Sequence, residues 1–200
     1  MASITKTQGT SLIAWQDIAT ANVIVGSAQA VTTTLAGMVF VFLARESGTA
    51  FTAGWPNVRI EGSAKSSGND AWIPLVSFQM AVGASIVNTT LNGAVSAGAT
   101  TFVVTSATNI AAGDILFLKD SSTANYELCR VKSVSGTTIT PEEAVTYAHA
   151  NSSQVTDQAE VYAAAFDLSA VGRIRAVVDN AGSGQSIAAQ VLLVTGDSIG

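Results

Sequence analysis

Histidine, cysteine and charge are all scarce in this 200-residue chain. It contains one histidine (His149), one cysteine (Cys129) and 12% charged residues. Enzymes generally bring several titratable groups together in a pocket and shift their pKa values, and this sequence has few such groups. The counts exclude a zinc site built from cysteine and histidine, and the lone cysteine excludes an intrachain disulfide. We therefore expect a non-enzymatic protein without a cofactor or metal.

Long apolar runs and basic clusters are also missing. The apolar run Gly37–Ala44 has eight residues, whereas a transmembrane helix needs about twenty. The net charge is −5 and the nine Lys and Arg residues are scattered, which disfavours binding to nucleic-acid phosphates. Two basic pairs, Arg130 with Lys132 and Arg173 with Arg175, are each spaced two residues apart, so both members of a pair would lie on the same face of a strand. We expect these faces to be solvated or to lie at an interface. We expect neither a membrane nor a nucleic acid as partner.

Apolar residues are abundant, at 48% of the chain. Because the cores of subunit interfaces are depleted in charge, this composition predicts a homo-oligomer, with a trimer as the expected state. The alternative is a monomer with a core rich in Ala and Val. The N-terminal residues Met1–Lys6 do not have the apolar core of a signal peptide, so we expect the chain to be made and retained in a cytoplasm.

Strand signals run along nearly the whole sequence. Short segments rich in Val, Ile, Thr and aromatic residues alternate with Gly, Ser and Asn turns, which is typical of sandwiches and barrels. No segment keeps a helical period. The sequence predicts an all-β fold, an antiparallel β-sandwich of jelly-roll or Ig-like type. The predicted strands are Asn22–Val25, Met38–Arg45, Val58–Ser63, Trp72–Phe78, Thr101–Thr105, Asp114–Lys119, Tyr126–Val134, Thr137–Thr140, Val161–Phe166, Arg173–Asp179 and Ala188–Thr195.

Residues 91–158 differ from their flanks in having five short strands joined by short connections. This arrangement predicts a small SH3-like β-barrel inserted into a sandwich made of residues 1–90 and 159–200. One continuous sandwich of about eleven strands is the alternative. The expected core of the insertion consists of Phe102, Val104, Ile115, Phe117, Leu128 and Val131.

Alternation within Tyr126–Val134 assigns side chains to the two faces of a strand. Cys129 and Val131 share one face, and Glu127 falls on the same side, so a β-bulge is expected near Ser133. Cys129 is most simply a small buried hydrophobic residue.

Catalytic and ligand-binding motifs are absent. There is no G-x-S-x-G elbow and no phosphate-binding loop, and His149 lies in a polar segment where we expect it to be solvated. Four acidic residues (Glu142, Glu143, Asp157 and Glu160) would bind calcium only if the fold brought them together. A glycosidase needs only two such carboxylates, but its cleft usually carries exposed aromatics. The three tryptophans, Trp15, Trp55 and Trp72, are instead expected to be core or interface anchors.

Two segments resemble a module of tailed-bacteriophage virion proteins. They are Ala99–Leu118 (ATTFVVTSATNIAAGDILFL) and Glu127–Thr140 (ELCRVKSVSGTTIT). The closing segments Arg173–Gly184 and Val191–Val194 resemble the final hairpin of phage head or tail β-sandwich proteins. Gly113 and Gly136 fit this pattern because tight turns favour glycine at positive φ.

The resemblance implies a structural protein of the virion, assembled in the host cytoplasm. It implies a capsid decoration or cement protein that contacts copies of itself and the major capsid protein or other virion subunits. The alternatives are a tail, baseplate or collar component, or a receptor- or carbohydrate-binding module that exposes Trp55 or Trp72.

Overall fold

The computed structural model describes residues 5–32, 34–46, 51, 54–68, 71–80, 87–120, 125–157 and 159–197. Within these ranges the regular structure is all strand, and no helix is long and apolar enough to cross a membrane. The all-β prediction is confirmed. The strands are β1 (Thr5–Ile18), β2 (Val23–Val25), β3 (Gln29–Ala30), β4 (Thr34–Arg45), β5 (Asn57–Ser63), β6 (Ile73–Gln79), β7 (Asn88–Thr90), β8 (Phe102–Val103), β9 (Ile115–Lys119), β10 (Tyr126–Ser135), β11 (Thr138–Pro141), β12 (Gln154–Thr156), β13 (Ala159–Asp167), β14 (Arg173–Asp179) and β15 (Ile187–Asp197).

Two antiparallel sheets pack face to face as a sandwich. One has the order β1-β15-β4-β13, and the other has the order β2-β14-β5-β6 with β3 also beside β14. Their inner faces share one hydrophobic core, which confirms the predicted β-sandwich. The jelly-roll or Ig-like assignment stays a prediction. The core includes Ile13, Val39, Val41, Leu43, Val58, Ile60, Ile174, Ala176, Val178, Val191 and Leu193.

A third sheet, formed within residues 87–157, curls until its two ends meet. Its order is β7-β12-β9-β10-β11-β8. The backbone N–H of Asn92 donates to the carbonyl of Val103 (2.8 Å), and that of Thr105 donates to the carbonyl of Thr90 (2.8 Å). We call this curled sheet the barrel. The SH3-like character predicted for it stays a prediction. Its own hydrophobic core includes Leu91, Phe102, Val104, Leu116, Leu118, Cys129, Val131, Ile139 and Val155.

A smaller hydrophobic cluster, which we call the joint, connects the barrel to the four-stranded sheet. It contains Ala44, Phe117, Tyr126 and Ala188, with Trp15, Leu128 and Ala159 packed against them. Three of the predicted core residues of the insertion, Phe102, Val104 and Val131, lie in the barrel core. Phe117 and Leu128 belong to the joint instead, because they occupy the opposite face of the barrel wall, and Ile115 is only half-buried. The boundaries 1–90 with 159–200 and 91–158 stay a prediction, and residue 158 itself lies outside the described residues.

The turns that carry the phage-like pattern have the expected backbone. Gly113 and Gly136 have φ values of +96° and +59°, and the Asp114 carboxylate accepts a hydrogen bond from the backbone N–H of Ala111 (2.7 Å). The predicted irregularity near Ser133 is also present, as a register shift between Val131 and Ser133 in the pairing of β10 with β11. Local turn chemistry was therefore predictable.

The longest strand, β1, was not predicted. Three register shifts interrupt its pairing with β15, so its apolar residues do not alternate regularly with polar ones. Leu12, Ile13 and Ile18 nevertheless reach the sandwich core. Long-range pairing with β15, which has its own apolar pattern, forms this strand despite its polar composition.

Candidate assembly surfaces

The four-stranded sheet is apolar on both faces. In β4, Val39, Val41 and Leu43 are buried in the sandwich core, while Met38 and Phe40 alternate with them and therefore point to the outer face. A near-continuous apolar strand is typical of a sheet covered on both sides. The apolar run Gly37–Ala44, which overlaps the predicted strand Met38–Arg45, was the sequence signal for this surface.

Strand pairing places the outer side chains of this sheet in three rows. Phe42 lies between Val161 and Gln190, Phe40 between Ala163 and Leu192, and Met38 between Ala165 and Val194. We call these nine residues the outer apolar face. Eight of them are apolar, one is an amide and none is charged.

The joint covers one end of the outer apolar face. Trp15 packs against Phe42 (ring centroids 6.1 Å apart) and against Phe117 (5.5 Å), and it stacks on Tyr126 (5.7 Å). Trp15 thus anchors a contact within the chain, between the sandwich sheet and the barrel. Its predicted role as an anchor between subunits stays a prediction.

A polar cluster borders the joint. Lys119 Nζ lies 2.7 Å from Asp17 Oδ2 and 3.0 Å from Glu46 Oε1, and the Tyr126 hydroxyl donates to Asp17 Oδ1 (2.8 Å). Burial and the adjacent Asp17 carboxyl raise the pKa of Glu46 to about 7. Burial alone would raise the pKa of Asp17, but hydrogen bonds with Glu46, Lys119 and Tyr126 hold it below its usual value. The cluster ties β1 and β4 to β9 and β10.

Trp72 lies on the opposite sheet of the sandwich beside two arginines. The guanidinium carbons of Arg175 and Arg173 lie 4.1 Å and 5.1 Å from the centroid of its ring. Arg175 also forms an ion pair with the largely buried Glu61, at 2.8 Å. One face of the indole is therefore covered by cation–π contacts. Arg130 and Lys132, the other predicted pair, are exposed on the barrel.

Trp55 is the most exposed of the three tryptophans. It retains 45% of its accessible surface and makes an edge contact with Phe51 (6.2 Å). Gly54 precedes it at φ +60° and packs closely against the backbone of Gly182. This turn presents the indole at the surface, as an interface anchor or a sugar-binding platform would require.

The expectation that His149 is solvated is wrong. The side chain is buried, and its Nε2 donates a hydrogen bond to Glu127 Oε1 (2.8 Å). The second carboxylate oxygen of Glu127 accepts the backbone N–H of Thr146 (2.8 Å). The polar segment around His149 folds back onto the barrel through backbone hydrogen bonds with Val95, which no local pattern revealed. The sequence did contain one signal for this contact. Glu127 was predicted on the inner face of β10, and a buried carboxylate requires a partner.

Cys129 is buried in the barrel core, as its alternation predicted. Burial, with a contribution from the negative charge of Glu127, raises the pKa of its thiol to about 12. The thiolate is therefore not formed at neutral pH, and a nucleophilic role would require it.

The four acidic residues considered as calcium ligands do not converge. Glu142 pairs with exposed Arg130 at 3.9 Å, whereas Asp157 accepts the backbone N–H of Val87 (2.8 Å). In the part of the chain that the structure describes, no group of three or more His, Cys, Asp or Glu side chains is arranged to hold a metal ion.

Comparison with known proteins yields only loose similarities. No protein-family model matches the chain, and no curated protein matches it. A tailspike of Acinetobacter baumannii bacteriophage AP22, solved with a capsular saccharide, shares 24% identity over 39% of this chain and 15% of its own length, with a TM-score of 0.31. The SPBc2 prophage-derived protein YomS shares 8% identity over 97% of this chain and 96% of its own, with a TM-score of 0.30.

A capsid protein of bacteriophage P23-77, VP17, shares 9% identity over 98% of this chain and its whole length, with a TM-score of 0.20. All three are proteins of phages or of a prophage. TM-scores this low do not establish a common fold.

Proposed function

We propose that this chain is a non-enzymatic structural protein of a tailed-phage virion, acting in many copies as a capsid decoration or cement protein. The observation that carries the proposal is the outer apolar face, an uncharged sheet surface that the described part of the chain covers only at one end. Contiguous apolar surfaces with polar rims mark sites of protein association. A cement protein uses such contacts, each modest, to hold neighbouring shell subunits together through multivalency.

The proposed partners are other copies of this chain, with a trimer as the expected state, and the major capsid protein or other virion subunits. Trp55 is the tryptophan best placed to contact another subunit because it is the most exposed of the three. Arg175 and Arg173 already cover one face of Trp72.

The two groups that most resemble catalytic residues support a structural role. His149 satisfies the buried Glu127, and the thiol of Cys129 is held protonated within a hydrophobic core. Neither has the accessible partner that a general base or nucleophile requires.

The test compares virions assembled with and without this chain. We expect cryo-electron microscopy to show many copies of the chain on the shell. We also expect shells that lack the chain to release their genome at a lower temperature. Purified virions that lack the chain would contradict the proposal. Density confined to the tail, baseplate or collar would establish the alternative location.

The exposure of Trp55 specifically favours one further candidate, a carbohydrate-binding module. Indole faces stack on sugar rings, and this one is accessible beside a glycine turn. Binding of host surface polysaccharide that quenches tryptophan fluorescence, and that Trp55→Ala abolishes while Trp15→Phe retains it, would establish this function.

A further inference from the structure

The outer apolar face is incompletely covered by the residues that the structure describes. The joint packs over Phe42 in the first of the three rows, whereas Val161 in the same row keeps 44% and Met38 in the third row keeps 39% of its accessible surface. Large apolar side chains that stay exposed on a sheet face lose the favourable free energy of leaving water. A further partner is expected to cover them.

The uncovered part of the face contains both a groove and a protruding side chain. A groove of about 380 Å³ lies among Met38, Phe40, Ala165 and Val194. Small residues of the outer face, Ala36, Ala165 and Gly196, leave this space above the sheet, and Met38 is one of the residues that line it. A surface with an exposed side chain next to a groove can interlock with another copy of itself.

We propose that another copy of this chain packs on the outer apolar face, with Met38 of each copy beside the groove of the next copy around a closed trimer. This inference rests on the proposed assembly in many copies and locates its self-contact.

Charge supports the choice of partner. None of the nine residues of the face is charged, so the face offers nothing to pair with the charged groups of a nucleic acid or a lipid headgroup. An equally uncharged, apolar protein surface matches it, and the same face on another copy has this property. Like charges are also absent, so two such faces can approach without repulsion.

Continuity with the joint is a second argument. The chain already buries one end of this face against its own barrel, where Trp15 of β1 packs on Phe117 and Tyr126 of the barrel. A second copy on the remaining rows would extend that buried layer, since Phe42 and Phe40 are successive outward residues of β4.

The test measures the mass of the purified full chain by sedimentation velocity between about 1 and 100 µM. The wild type is expected to form a multimer of the 20.3 kDa chain. Met38→Glu and Ala165→Glu are expected to weaken association at least 10-fold, because each would bury an unpaired carboxylate at the contact. Val25→Glu is the matched control, an exposed strand residue (54%) of the other sheet, and should associate like the wild type.

A second measurement does not depend on a disruptive charge. In Ala165→Cys the new thiol is exposed while Cys129 is buried, so maleimide labelling reports on position 165. We expect labelling to slow several-fold as the protein concentration rises through the association range.

Three results would overturn the inference: a wild type that stays monomeric at 100 µM, association that survives both Glu substitutions, or labelling independent of concentration. A monomer that binds virions, and loses that binding with Met38→Glu, would assign the face to another virion protein while leaving the proposed function intact. If the chain is absent from virions but still associates with itself, the proposed function is refuted and the inference about the outer apolar face stands.

Discussion

His149 and Glu127 form a buried pair that closes one side of the barrel. Nε2 of the histidine donates to Glu127 Oε1 at 2.8 Å, and the histidine side chain is fully buried. Among the described residues, the other ring nitrogen, Nδ1, has no hydrogen-bond partner. The pair joins β10 to the segment that follows β11, two parts of the chain that are 22 residues apart.

Removing this histidine should destabilise the fold. His149→Ala leaves the Glu127 carboxylate buried without its partner, so we expect a loss of about 3 kcal/mol in the free energy of unfolding. Urea denaturation followed by circular dichroism measures it. Tyr147→Ala, two residues away and 47% exposed, is the control and should change stability by less than about 0.5 kcal/mol. Equal effects of the two substitutions would contradict the importance of the pair.

Cys129 should be unreactive in the native protein. The thiol is buried and its pKa is raised to about 12, so a thiol reagent at pH 8 should label it only after denaturation. Rapid labelling of the folded chain, timed spectroscopically, would contradict this. Cys129→Ala should cost about 1–2 kcal/mol through lost packing, and particle binding should persist.

Stability should depend on pH through Glu46. Its pKa is about 7 in the folded protein against an ordinary value of 4.5. The stabilisation that the protonated group contributes is fully present below pH 4.5 and is lost as the pH rises through 7. Glu46→Gln stays neutral, so relative to the wild type it should gain on the order of 2 kcal/mol between pH 5 and 8.

Denaturation at pH 5, 6, 7 and 8 tests the Glu46 prediction. The pKa of Asp17 is lowered from its ordinary value of 3.8, so its titration changes the stability only below pH 3.8, outside this window. Glu142→Gln, at an exposed ion pair, is the control and should follow the wild type. The prediction fails if Glu46→Gln also runs parallel to the wild type throughout.

Trp15 should couple the unfolding of the barrel to that of the sandwich. Trp15→Ala removes the stack on Tyr126 and the contact with Phe117, so we expect a loss of about 3 kcal/mol. Calorimetry should show the single transition separating into two as the barrel core and the sandwich core unfold independently. Trp55→Ala is the control because its ring lies outside the joint. One unchanged transition in Trp15→Ala would argue for a single continuous unit.

The sequence alone determined the elements that depend on neighbouring residues. Period-two alternation placed Cys129 and Val131 on one face of β10, and glycine at positions 113 and 136 predicted turns that need positive φ. These signals are local, because side-chain direction in a strand and backbone freedom at a turn are set within a few residues. The all-β fold followed from their repetition along the chain.

Only the tertiary structure decided which of these elements meet. The pairing of β1 with β15, and of His149 with Glu127, joins residues distant in sequence, and neither polar segment shows locally what it will contact. The run Gly37–Ala44 predicted a strand, but its inner face became core and its outer face a surface only when the second sheet and the barrel took their places. Burial is a property of the packed molecule, since it depends on what covers a side chain as well as on the side chain itself.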